Sequence, residues 1–139
     1  MSILVVAEHD NTSIKSVTLN TVAAASAIGG DIAILVAGSN CGGAAEAAAK
    51  IAGVSKVLVA DNAAYEHQLA ENMGLLVAEL GKDHSHVLVA ATTTGKNFAP
   101  RVAALLEAIL KMEIEKKVKQ VSPGVFMMAE KDVTSVVGV

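Results

Sequence analysis

Four short apolar runs, residues 3–7, 32–37, 56–60 and 86–91, are continuous rather than alternating. A strand with one wet face alternates apolar and polar side chains. A run that is apolar at every position belongs in a strand covered on both faces, as in a parallel sheet. The segments between these runs have helical composition. Residues 14–28 carry Val17, Ala24, Ala25 and Ile28 at helical spacing before Gly29-Gly30. Residues 42–52 are rich in alanine and end at Gly53, and residues 65–80 place Leu69, Met73, Leu76, Val77 and Leu80 on one stripe before Gly81. Glycine after the last periodic residue is a common helix stop. The β-α alternation predicts an α/β fold: a three-layer, mostly parallel, Rossmann-like (nucleotide-binding-like) sheet with helices on both faces.

The remainder is expected to be a long helix followed by a β-hairpin. Pro100 fits a first helical turn, where its missing N–H would have no partner anyway. Leu106, Leu110, Ile114, Val118 and Val121 continue at helical spacing, and Glu113/Lys117 and Glu115/Lys119 add i,i+4 charge pairs. This predicts one helix to about Val121, stopped by Ser122-Pro123-Gly124. Residues 125–129 and 133–139, flanking Glu130-Lys131-Asp132, pattern as the hairpin. With 139 residues, the chain is read as a single domain, 1–139.

Composition narrows the function. Hydrophobic residues make up 53% of the chain but aromatics only 2%, namely Tyr65, Phe98 and Phe126. Platforms that stack nucleic-acid bases need aromatics, and a net charge of −3 with Arg101 as the single arginine gives no phosphate-neutralising surface. Nucleic acid is therefore not an expected partner. The longest apolar stretch, residues 22–38, is broken by Ser26, Gly29, Gly30 and Asp31, short of a membrane span. The N-terminus lacks a basic region and reaches Glu8 too early for a signal peptide. One cysteine, Cys41, suits a reducing compartment. A cytoplasmic location is expected, or the mitochondrial matrix if a targeting piece has been removed.

Open α/β sheets bind ligands beyond the carboxyl ends of their strands, so the loops there hold the candidate chemistry. In Glu8-His9-Asp10-Asn11, a histidine between carboxylates suits acid–base work or a solvated, capped loop. Gly38, Ser39, Asn40, Cys41, Gly42 and Gly43 precede a helix and can admit a phosphate or simply turn tightly; the spacing is not G-x-G-x-x-G. Cys41 at a helix start is expected to have a lowered thiol pKa. Thr92, Thr93, Thr94, Gly95, Lys96 and Asn97 form the most suggestive loop: hydroxyls, a glycine and a lysine ahead of a helix, without the Walker A order. Together with Arg101 they can face an anion or form an interdomain surface. His84 and His86 beside Asp83 have the spacing of two metal ligands on a strand, yet read better as exposed residues leading into it. Met127-Met128 is expected to pack in the core. No catalytic or metal site is assigned.

These residues also carry a resemblance. Met1-Ser2-Ile3-Leu4-Val5-Val6-Ala7-Glu8-His9, Thr21-Val22-Ala23-Ala24-Ala25 and Gly30-Asp31-Ile32 resemble the start of the electron transfer flavoprotein alpha-subunit family. Ala91-Thr92-Thr93-Thr94-Gly95-Lys96-Asn97-Phe98-Ala99-Pro100-Arg101 resembles that family's most recognisable N-terminal stretch. The likeness covers residues 1–106. It implies a non-catalytic α/β scaffold that packs against a beta subunit in a heterodimer whose intact form carries FAD. Most FAD contacts in the family come from a C-terminal domain outside these residues, so no cofactor is expected for this chain alone. The family's AMP belongs to the beta subunit and is not transferred. Residues 107–139 read as a divergent ending, natural, truncated or engineered: Ser122-Pro123-Gly124-Val125-Phe126 keeps part of a family Ser-Pro-Asp-Thr-Phe, and Tyr-Ala-Gly-Asn is missing. A helix to Val121 would replace the family's fifth strand. Two alternatives stand beside this reading. One is a small nucleotide- or anion-binding domain; the other is a folded fragment without activity of its own, with a homodimer possible in isolation.

Overall fold

A computed structural model describes residues 2–110, 117–122, 125–129 and 135–138, with side chains through residue 106. In chain order the elements are β1 (Ser2–Val6), α1 (Ser16–Ile28), β2 (Asp31–Gly38), α2 (Gly42–Ala49), β3 (Val54–Asp61), a 3₁₀ turn (Ala63–Tyr65), α3 (Ala70–Gly81), β4 (His86–Val89), α4 (Thr93–Leu110), β5 (Lys117–Ser122), β6 (Val125–Ala129) and β7 (Ser135–Gly138). The strands form one sheet in the order β3-β2-β1-β4-β7-β6-β5. β1 pairs in parallel with β2 and β4, β2 with β3, and β4 with β7; β6 runs antiparallel to β7 and to β5. The mostly parallel α/β sheet expected from the apolar runs is present.

Alternation along the strands divides the core between two faces. Leu4, Val6, Ala33, Leu35, Val87 and Val89 pack with Met73 and Val77 of α3 and with Phe98, Val102 and Leu106 of α4. Ile3, Val5, Ile32, Ile34, Val36 and Leu88 pack with Val22 and Ala25 of α1 and with Ala44 and Ala48 of α2. Both sets are apolar, which is why the runs of β1, β2 and β4 show no polar alternation. β3 corrects the expectation for 56–60, since as an edge strand it has no buried residue and Val59 is exposed. The alanines of α1 and α2 present little bulk to the sheet.

Four expectations about helices are corrected. The helix expected over 65–80 begins only at Ala70 as α3, and Leu69 of its stripe precedes it and is exposed. α4 begins at Thr93, so residues 93–97 are its first turns rather than a loop, and Pro100 lies inside the helix. The long helix to Val121 is not formed: residues 117–122 are strand β5. Its pairing with β6 contains an irregularity between Gln120 and Ser122. Gln120 and Ser122 pair with the adjacent residues Phe126 and Val125, so β5 carries one more residue than β6 at that point. Of the proposed charge pairs, Glu113 and Glu115 lie outside the described residues. The hairpin expected over 125–129 and 133–139 is β6–β7, with β7 joined to β4.

The strand order fixes where loops converge. The chain moves from β1 to β2 to β3 in one direction, then crosses back to place β4 on the other side of β1. The carboxyl ends of β1 and β4 therefore flank the topological switch point.

Candidate functional site

The loop after β1 is tied inward. Glu8 is clamped by buried Thr18 of α1, whose Oγ1 accepts from the Glu8 N–H at 2.9 Å and donates to the Glu8 carbonyl at 3.1 Å. His9 is buried. Its Nε2 lies 2.9 Å from the Ala37 carbonyl, and its Nδ1 is 3.0 Å from the Asn11 N–H. A carbonyl only accepts and an N–H only donates, so both contacts are met by the neutral Nε2–H tautomer. Burial lowers the His9 pKa, outweighing the Ala37 hydrogen bond. Asp10 accepts from Thr12 and Ser13, through backbone N–H and hydroxyl of each, which holds its carboxyl well below the usual range. The cluster is a folded loop with its polar atoms engaged.

The mouth of α2 is closed in the same manner. The Asp61 carboxylate at the end of β3 accepts from the Asn40 N–H at 2.8 Å and the Cys41 N–H at 3.3 Å. The anion at this mouth is the chain's own. A Cβ on Gly38 would lie 2.4 Å from Asn11 Oδ1, and one on Gly43 would lie 3.1 Å from the Thr12 carbonyl oxygen. The space beside these glycines holds the β1–α1 loop. Cys41 is fully buried and its thiol pKa is raised, by burial first and by Asp61 second, correcting the expected lowering.

The start of α4 differs. Thr92 precedes the helix, and its hydroxyl accepts from the Gly95 N–H at 3.1 Å while donating to the Glu8 carboxylate. That bond joins the β1 and β4 loops across the switch point and sets a negative group beside a helix N-terminus. Gly95 is a packing requirement: a Cβ there would meet the Ala90 carbonyl oxygen at 1.7 Å. Thr93, Thr94, Lys96 and Asn97 stay exposed. With His67 and Gln68 they line an open groove of about 490 Å³. Gln68 adopts φ +48° and donates from Nε2 to the Ala37 carbonyl at 3.1 Å. Among the described residues Lys96 makes no ion pair.

Lys96 and Arg101 are not brought together. They stand five positions apart, about 140° around the helix. Arg101 lies over Gly74 of α3, where a Cβ would be 3.1 Å from its Cδ, and its guanidinium is 3.7 Å from the Glu71 carboxylate.

Comparison with known proteins identifies the domain that carries this site. Residues 3–132 match the model of the electron transfer flavoprotein domain. The chain belongs to that family. It is 64% identical over 126 residues to the electron transfer flavoprotein subunit alpha of Pseudomonas aeruginosa, covering 91% of this chain and 40% of the relative. It is 45% identical over 115 residues to the alpha subunit of Paracoccus denitrificans, covering 82% and 37%, and 43% identical over 121 residues to the mitochondrial alpha subunit of Dictyostelium discoideum, covering 81% and 34%. The chain thus spans at most about two-fifths of the length of these relatives.

In this electron transfer flavoprotein alpha-like domain, the Asn40 and Cys41 N–H groups ahead of α2 are bonded to Asp61, and the Glu8–Thr92 contact crosses the switch point. The described residues gather no metal cluster. His84 is buried, correcting its expected exposure, with Nδ1 2.8 Å from the Leu80 carbonyl oxygen at the end of α3. His86 Nδ1 is 2.9 Å from Ser85 Oγ, and burial lowers its pKa. Met127 and Met128 are in β6, and their packing lies outside what is described. No helix among the described residues is long and apolar enough to cross a membrane. Sequence reasoning missed Asp61, His67 and Gln68. They lie 20 or more residues from the loops they meet, and only the strand order juxtaposes them.

Proposed function

We propose that this chain serves as a non-catalytic scaffold and subunit-docking domain of an electron transfer flavoprotein, bound to a beta-type subunit through the first turns of α4. The groove carries this reading. It presents Thr93, Thr94, Lys96 and Asn97 unshielded, while the neighbouring strand-end loops are filled by the chain's own side chains. The resembled family is flavin-associated by name, and the alpha designation of the relatives implies another subunit. In this reading the chain is one α/β domain, and FAD is held by other parts of the assembly, either in the cytoplasm or in the mitochondrial matrix. Arg101 contributes by bracing α4 on α3 rather than by direct contact.

A titration of the chain with a beta subunit tests this. The double replacement Lys96→Ala and Asn97→Ala is expected to weaken association about tenfold, about 1.4 kcal/mol, with an unchanged circular-dichroism melt. Unchanged association would overturn the docking site. The competing reading, an anion- or nucleotide-binding domain, rests on exposed Lys96 at the helix start. It predicts a raised melting temperature with phosphate or AMP, lost in Lys96→Ala.

A further inference from the structure

The His9 ring sits where three segments meet. It belongs to the β1–α1 loop, bonds the carbonyl of Ala37 near the end of β2, and receives the Asn11 N–H. The same Ala37 carbonyl takes the side chain of Gln68, which lines the α4 groove. Asn11, at φ +73°, passes its own carbonyl to the Ala44 N–H in the first turn of α2 at 3.2 Å. One imidazole therefore connects the loop after β1, the end of β2 and the entrance of α2.

We propose that His9 is a proton-operated latch: the neutral ring holds the β1–α1 loop against the end of β2, and protonation releases it. Protonated Nδ1 carries a hydrogen and cannot accept from Asn11, so two donors would face each other at 3.0 Å. The ring packs over the backbone of β2: a Cβ added at Gly38 would stand 2.9 Å from His9 Cε1 and 2.4 Å from Asn11 Oδ1.

Surrounding groups do little to accommodate the cation. Asp10 favours the charge and Lys15 opposes it. The Asp10 carboxylate is occupied by its four donors from Thr12 and Ser13. Glu8 is bonded to Thr92, and Asp61, the carboxylate at the end of β3, holds the Asn40 and Cys41 N–H groups. β2 offers the Ala37 carbonyl, the linker before α3 offers the neutral Gln68 amide, and α2 begins beside the neutral Cys41 thiol. The folded ring has a pKa below its ordinary value, so the latch stabilises the fold above pH about 6.5 and loses that contribution as pH falls toward the folded pKa.

Long-range proton–nitrogen NMR of the whole chain reads the ring directly, and amide hydrogen exchange reads the loop. At pH 7.5 His9 should show the Nε2–H tautomer. On acidification, protection factors at the Asn11 and Ala44 amides should fall about tenfold, with the midpoint of ring protonation. His86→Gln should leave that fall unchanged, and His9→Gln should show low protection at both pH values. Ring protonation with the two amides still protected would overturn the latch. So would a ring that stays neutral until the whole domain unfolds.

Discussion

Two polar mouths open at the same end of the sheet, and they differ in who satisfies their donors. At α2, the backbone N–H groups of Asn40 and Cys41 are met by Asp61, and Gly38 and Gly43, unlike Gly42, are packed under Asn11 and Thr12. At α4, Thr92 and Glu8 complete the helix entrance from behind, while Thr93, Thr94, Lys96 and Asn97 face solvent beside His67 and Gln68. Both loops read alike as small, polar, glycine-containing stretches before a helix. The difference teaches that such a stretch is available to a partner only where the rest of the chain has not supplied its own side chains.

The largest test of the contrast uses one glycine from each mouth. Gly95→Ala must move α4 off β4, because its Cβ would stand 1.7 Å from the Ala90 carbonyl oxygen. It should cost about 3 kcal/mol or more, or prevent folding, in a urea melt. Gly42→Ala meets nothing within 4 Å and should be neutral or stabilising by up to about 1 kcal/mol. If the two substitutions cost the same, the packing roles are misassigned.

Next in size is Asp61→Ala, which leaves two N–H groups without their carboxylate and should cost about 1–2 kcal/mol. It also vacates the closed mouth. A phosphate-dependent rise in melting temperature, seen in Asp61→Ala but not in the parent, would sharpen the contrast. Acidification should act in the same region. His9 and His86 both have lowered folded pKa values, so denaturant stability should decline as pH drops below about 6.5. His9→Gln should flatten part of that decline. The smallest expected effect on folding is at the open mouth, where Lys96→Ala should change stability by no more than about 0.5 kcal/mol.

Much of this arrangement was legible in the sequence. Residues apolar at every position in the central strands, such as Ile3-Leu4-Val5-Val6, are covered on both faces, whereas the equally apolar run Val57-Leu58-Val59-Ala60 forms edge strand β3 and leaves Val59 exposed. The helix stop at Gly29 also falls where expected, whereas Gly81 is the last helical residue of α3 and Lys82 is its cap. The start of α4 was hidden because Thr92-Thr93-Thr94-Gly95 has loop composition. Close approach to Ala90 demands the glycine inside the first turn, so tertiary contact overrides propensity. β5 was hidden because Val118 and Val121 continue the helical spacing of Leu106, Leu110 and Ile114, and only the pairing with β6 makes the segment a strand. The candidate site was half legible. Thr93 to Asn97 stood out, but whether a donor is free depends on residues distant in sequence. Asp61 reaches Asn40 across 21 positions, and Glu8 reaches Thr92 across 84. Arg101 was grouped with Lys96 by proximity in the chain, whereas helical rotation sends it to Glu71.

The open-versus-closed contrast is tested most directly by amide chemical-shift mapping of the labelled chain titrated with a beta subunit. Signals of Thr93, Thr94, Lys96, Asn97, His67 and Gln68 should shift or broaden, while Asn40, Cys41, Gly42 and Gly43 keep their positions. Perturbation centred on residues 40–43, with the α4 entrance unmoved, would contradict it.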